Sequence, residues 1–206
     1  MTLDLNSFNY DDAPQKTEFA LLPDNAVVRG IVKLSGGDME IPELGGGQYF
    51  KSSASGAKWM PIEITIVGGE CDKRKIWQNI FVDGAKRDDN GYPIAKRIGL
   101  ETIKRMVDSA YGLKKDDTSP EALQKRATIT GVHVLMGMEI CFKIGIEKGN
   151  NGYPDKNKIK VVLTPDSQEF ISGGVAPQVA HAPAPAPQAA APAPAQAQGV
   201  TPPWAR

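Results

Sequence analysis

Residues 72–84 read DKRKIWQNIFVDG. Successive side chains of a β-strand point to opposite faces, so Ile76, Gln78, Ile80 and Val82 share one face while Trp77, Asn79 and Phe81 share the other. The first set suits a protein interior. The second places two large aromatic rings beside Lys73, Arg74 and Lys75, a combination that a face covered only by water does not require.

Working outward, residues 58–67 (KWMPIEITIV) alternate in the same way, with Met60, Ile62, Ile64 and Ile66 on one face. Residues 26–34 (AVVRGIVKL) are rich in valine and isoleucine, and Val27, Arg29, Ile31 and Lys33 alternate with Val28, Gly30, Val32 and Leu34. The pattern then changes period. LETIKRMVDSAYG spaces Leu100, Ile103, Val107 and Ala110 at helical steps and stops at Gly112. A shorter helix is expected at PEALQKRA, with Ser119 as cap and Pro120 at its first position. Strands resume with MEICFKIGI, where Met138, Ile140, Phe142, Ile144 and Ile146 share a face. After the turn GNNGYPDKN, KIKVVL alternates Ile159, Val161 and Leu163.

Three strands, a helix and a two-strand hairpin is the order of a mainly β, five-stranded OB-fold-like antiparallel barrel with its main helix between strands 3 and 4, a small antiparallel barrel or sandwich of another topology being the alternative. OB-fold barrels bind oligonucleotides across strands 2 and 3 and the flanking loops. The expected organisation is an N-terminal extension over 1–23, the barrel over 24–172, and a disordered tail over 173–206. The tail is almost wholly Ala, Pro and Gln, ends in PPWAR and carries Arg206 as its sole charged side chain. Repeated proline blocks both helix and ladder hydrogen bonds.

The chain has 206 residues and 41% hydrophobic content, enough for one substantial core, and its 24 basic and 24 acidic residues cancel. A polyanion must therefore be held by a local patch rather than a global field. Cys71 and Cys141 have no CxxC spacing, and His133 and His181 are the only histidines, so neither a zinc site nor a disulfide framework is expected. No apolar run is long enough to span a bilayer, and the start MTLDLNSFNYDD lacks the features of an export signal. A cytoplasmic protein is the expectation.

Unpaired bases offer flat faces to exposed rings, at ~1–3 kcal/mol per stack. On the barrel reading, Trp59, Trp77 and Phe81 provide the rings, and Lys58, Lys73, Arg74 and Lys75 hold phosphates. The loop SGGDMEIPELGGGQYFKSSASGA contributes Tyr49, Phe50 and Lys51 as a mobile clamp, and the two NGYP turns place Tyr92 and Tyr153 at the rims. The competing reading buries these rings against the helix, the N-terminal segment or a second subunit.

A phosphate-loop reading of GGGQYFKS fails because Phe50 stands where glycine is needed. An EF-hand reading of KRDDNG fails because Lys86 occupies the first ligand position. No GxSxG serine, two-metal carboxylate set or cysteine–histidine pair is present. The expected class is therefore non-enzymatic, without cofactor or metal.

The pattern as a whole resembles phage-type single-stranded-DNA-binding proteins. The likeness rests on LNSFNYDDA, LLPDNAVVRGIV, RKIWQNIFV, GLETIKRMVDSAYGL, the pair MGMEICFKIGIEKG and KIKVVL, and the Ala/Pro/Gln-rich tail ending in PPWAR. It implies binding of single strands with little sequence preference, in DNA replication or recombination within a bacterial host cell. It also implies a tail that recruits other replication or recombination proteins, with Trp204 as the contact residue. Bacterial single-strand binders carry acidic tail tips, and this tip departs from them in being Pro202, Pro203, Trp204, Ala205 and Arg206. The alternative is a structural or protein-interaction phage component whose aromatic face is a subunit interface.

Overall fold

The structure is a computed structural model that describes residues 20–150 and 152–172. The strands are β1 (Val27–Leu34), β2 (Lys51–Ser52), β3 (Lys58–Val67), β4 (Lys75–Asp83), β5 (Glu139–Glu147) and β6 (Lys156–Leu163), with helices α1 (Ile94–Tyr111) and α2 (Pro120–Ala127) between β4 and β5. All six strands join one antiparallel sheet, in which β2, β3, β1, β5 and β6 are successive neighbours and β4 pairs with β3.

The alternation of β3 and β4 survives intact. Met60, Ile62, Ile64 and Ile66 are buried on one side of β3, as are Ile76, Ile80 and Val82 on β4. They meet Val32 and Leu34 from β1, Ile140, Phe142 and Ile144 from β5, and Met106 and Val107 from α1. Removing each such side chain from water contributes about 1.5–3 kcal/mol, so this interior fixes which way the opposite face of β4 points. The core begins before β1, because Leu22 is buried in it and holds Asn157 through both its N–H and its C=O.

Helix α1 starts six residues before the periodic run that signals it, at Ile94 after Pro93. Gly99 interrupts the apolar spacing there for a structural reason. A Cβ on Gly99 would lie 2.0 Å from the Phe81 carbonyl oxygen, so only glycine lets α1 approach the β4 backbone this closely. The helix ends as expected at Gly112, whose φ of 64° takes the left-handed conformation of a C-terminal cap. In α2, Ser119 caps the helix by accepting from the Ala122 N–H at 3.2 Å.

Strand β6 departs from simple alternation. Lys143 pairs with Val161 but Ile144 pairs with Ile159, so Lys160 is an extra residue in a β-bulge. The bulge shifts the inward side chains from the expected Ile159, Val161 and Leu163 to Ile159 and Val162, leaving Val161 half-buried and Leu163 buried outside the main core.

The loop over residues 35–50 is also ordered differently from the expected mobile clamp. Its two arms pair through a Met39–Phe50 bridge, and Gly37 donates to the Gln48 carbonyl at 2.7 Å. Among the described residues no helix is long and apolar enough to cross a membrane. The tail over 173–206, with Trp204, lies outside the described residues, as does the first part of the N-terminal extension.

Candidate nucleic-acid interface

Residues directly opposite each other in an antiparallel ladder project from the same face. The registers therefore assemble the outer face of the sheet in rows. Lys51, Trp59 and Phe81 form one; Pro61 and Asn79 the next; then Lys33, Glu63 and Trp77; then Ile31, Thr65 and Lys75.

Trp77 is 61% exposed and Phe81 47% exposed. Trp59, half-buried, packs its ring against Phe81 with centroids 5.9 Å apart and planes tilted by 46°. At ~3.3 Å per strand residue, Trp77 lies roughly 13 Å from Phe81, with the exposed Asn79 between them.

Glu63 organises the middle of this face. Its carboxylate accepts from the Trp77 Nε1 at 3.0 Å and pairs with Lys75 at 2.9 Å. The Lys75 hydrogen bond, helped by that of Trp77 and by the Lys75 and Lys33 charges, holds the Glu63 carboxyl below the usual carboxylate range. A depressed carboxyl stabilises the fold above the ordinary carboxylate range, and that contribution disappears as pH falls through the lowered value.

The expected phosphate contacts therefore differ from one another. Lys75 is tied to Glu63, and Lys58 lies 3.7 Å from Asp83, which also lies 3.7 Å from Arg87. Lys51 is exposed beside Trp59 and has no ion-pair partner among the described residues. Lys73 is exposed on the β3–β4 hairpin, where its φ of 64° completes the turn. Arg74 donates to the Ala20 carbonyl, tying the hairpin to the segment before β1.

Phe50 does not belong to the face. It is fully buried, because the alternation that turns Lys51 outward beside Trp59 turns its predecessor into the core. Tyr49 is half-buried and packs against that core. Tyr92 follows the loop leaving β4 at Asp83, and Tyr153, 77% exposed, sits on the β5–β6 hairpin. The two tyrosines flank opposite ends of the sheet, since β5 runs on past β1 from the Val27–Lys143 pair, at the end where β4 begins.

Sequence reasoning missed Lys33 and Ile31, which β1 adds to the face, and Glu63, which sets its charge. The signal for the first two was the alternation of Arg29, Ile31 and Lys33 in β1. Among the described residues, no cluster of three His, Cys, Asp or Glu side chains is gathered as a metal centre requires.

No family model matches the chain, and no curated protein does.

The charge arrangement yields an expectation of its own. Glu63→Gln keeps an acceptor for Trp77 and releases Lys75 from its carboxylate partner. Affinity for single-stranded oligothymidine should rise severalfold, and the slope of log affinity against log salt should steepen by about 0.7, the value for one added phosphate contact to a single strand. Fluorescence anisotropy across a salt series measures both, and an unchanged slope would mean that Lys75 never reaches a phosphate.

Proposed function

We propose that this chain binds single-stranded DNA with little sequence preference and without catalysis, across the outer face of β3 and β4. The observation that carries the reading is the placement of Trp59, Trp77 and Phe81 on one solvent-facing surface, opposite the buried Met60, Ile62, Ile64, Ile76, Ile80 and Val82 of the same two strands. Rings held on a strand rather than on a loop are pre-positioned, so little ordering entropy is lost when a base stacks on them.

The strand connections support the OB-fold form of this reading. β1 pairs with both β3 and β5, β4 pairs with β3 and β6 with β5, and α1 lies between β4 and β5. The β4 and β6 edges are joined where the Gln78 Oε1 accepts from the Ile159 N–H at 2.7 Å, a side-chain link at the seam where a five-stranded barrel would close. Phage-type replication or recombination in a bacterial cytoplasm is the setting that fits this role, with Trp204 in the tail as the handle for partner proteins.

Titration with oligothymidine should quench tryptophan fluorescence, because Trp59 and Trp77 lie on the contact face. The log–log salt slope should be near −2, about 0.7 for each of the cations Lys33, Lys51 and Lys73. Absence of quenching at low salt, or equal affinity for duplex DNA, would sink the proposal.

A further inference from the structure

Beside the aromatic face, the first half of α1 and the outer edge of β4 enclose a cleft of about 390 Å³, within the ~300–1,000 Å³ of small-molecule sites. Its apolar walls are Ile80 on one side and Ile94 and Ile98 on the other. Small residues keep it open, since Gly84, Ala85, Ala95 and Gly99 all line it. Ile98 is 54% exposed, so its side chain offers apolar surface at the mouth of the cleft.

The cleft is continuous with the stacking face, because Phe81 and Asn79 belong to both. The polar groups that reach it are few and complementary to one ligand class. The Asn79 amide is exposed and has no side-chain partner among the described residues. Gln78, on the opposite face of β4, is held at the β6 seam by the Ile159 N–H, so Asn79 is the amide on the outer side of the strand. Lys86 lies at the cleft with no ion-pair partner among the described residues.

A planar, largely apolar ring with donors and acceptors along one edge, attached to a phosphate, matches that set. We propose that this cleft takes a nucleobase of the bound strand, turned out of the stack that crosses Trp77 and Phe81. Asn79 meets the base edge, and Lys86 meets the adjoining phosphate. The inference rests on the single-strand reading of the face and assigns it a second, non-stacking subsite.

Thymidine 5′-monophosphate, with 2-deoxyribose 5-phosphate as the base-free control, separates the two claims. In amide NMR spectra of the whole chain, the nucleotide should shift Ala95 and Gly99, on the α1 wall, at millimolar concentrations, and the sugar phosphate, held at most by Lys86, should leave them in place. Ile98→Lys and Ile98→Glu change an exposed helix position in opposite electrostatic senses. Both should weaken these shifts and lower affinity for a short oligothymidine by roughly 5- to 10-fold, because both put a charge where the ring lies.

A gain of affinity in Ile98→Lys, nucleotide shifts confined to Trp77 and Phe81, or equal shifts with the sugar phosphate would overturn the cleft assignment. Each of these leaves the stacking face standing provided oligothymidine still quenches the wild-type chain. If it does not, the single-strand reading falls with the cleft.

Discussion

If the proposed function holds, Trp77→Ala should lower the affinity for single-stranded oligothymidine about tenfold, and the double variant Trp77→Ala/Phe81→Ala should lower it by roughly a hundredfold. Each lost stack is worth ~1–3 kcal/mol, and 1.4 kcal/mol is a factor of ten. The fold should hardly respond. Trp77 is 61% exposed and its one hydrogen bond, to Glu63, is at the surface, so its melting temperature should stay within a few degrees of wild type.

Phe50→Ala is the opposite case. That ring is fully buried, and emptying its site costs about 3–5 kcal/mol of stability, while the folded fraction should bind as the wild type does. Anisotropy of a labelled oligonucleotide, which does not depend on the protein's own tryptophans, reads both arms alongside thermal melting. If Trp77→Ala leaves binding intact but changes the sedimentation coefficient, the outer face is a subunit interface.

The contrast between these two rings also marks what was legible in the sequence. Trp77 sits in nine residues of unbroken alternation, where the periodicity of two assigns a face to every side chain, and the assignment held for the whole of β4. Phe50 sits among glycines and serines at the end of a loop, and its place is set by a bridge to Met39, eleven positions earlier, which no local period encodes. Its neighbour Lys51 turns outward only because β2 pairs with β3 at Trp59, in a short hairpin of two residue pairs.

The same physics accounts for the other differences. The β-bulge at Lys160 changes the facing of Val161 and Val162 without any change in composition. The early start of α1 was hidden in the sequence because Gly99 reads locally as a helix weakener, whereas here the close Phe81 carbonyl requires it. Charge was least legible of all. Lys58 and Lys75 look like free phosphate ligands in a linear sequence, yet each is matched to a carboxylate on the neighbouring strand, Asp83 and Glu63. Cross-strand pairing is a property of register, so a run such as Lys73–Arg74–Lys75 says how many cations are near the face but not how many are available.

A second large effect is expected far from the face. Asp108 on α1 is completely buried, with Lys104 at 2.8 Å on one carboxylate oxygen and the Arg126 Nε at 2.7 Å on the other. Those cations in turn hold the segment that joins the two helices. Lys104 donates to the Lys115 carbonyl, and Arg126 donates to the carbonyls of Asp117 and Lys114. One carboxylate therefore ties α1, α2 and their connection together.

Removing one member of a buried ion network leaves its partner charge uncompensated, which costs about 3–5 kcal/mol. Asp108→Ala should lower the melting temperature by roughly 6–20 °C, taking ~2–4 °C per kcal/mol for a domain of this size. Asp108→Asn should fall between that variant and wild type, since it keeps the shape and one acceptor but loses the charge. Because Arg126 is the partner left unpaired, Asp108→Ala/Arg126→Ala should be less damaging than the sum of its single changes. Strict additivity in that cycle, or a melting temperature for Asp108→Ala within 2 °C of wild type on the same ~2–4 °C scale, would show that the helices are held by their apolar contacts alone.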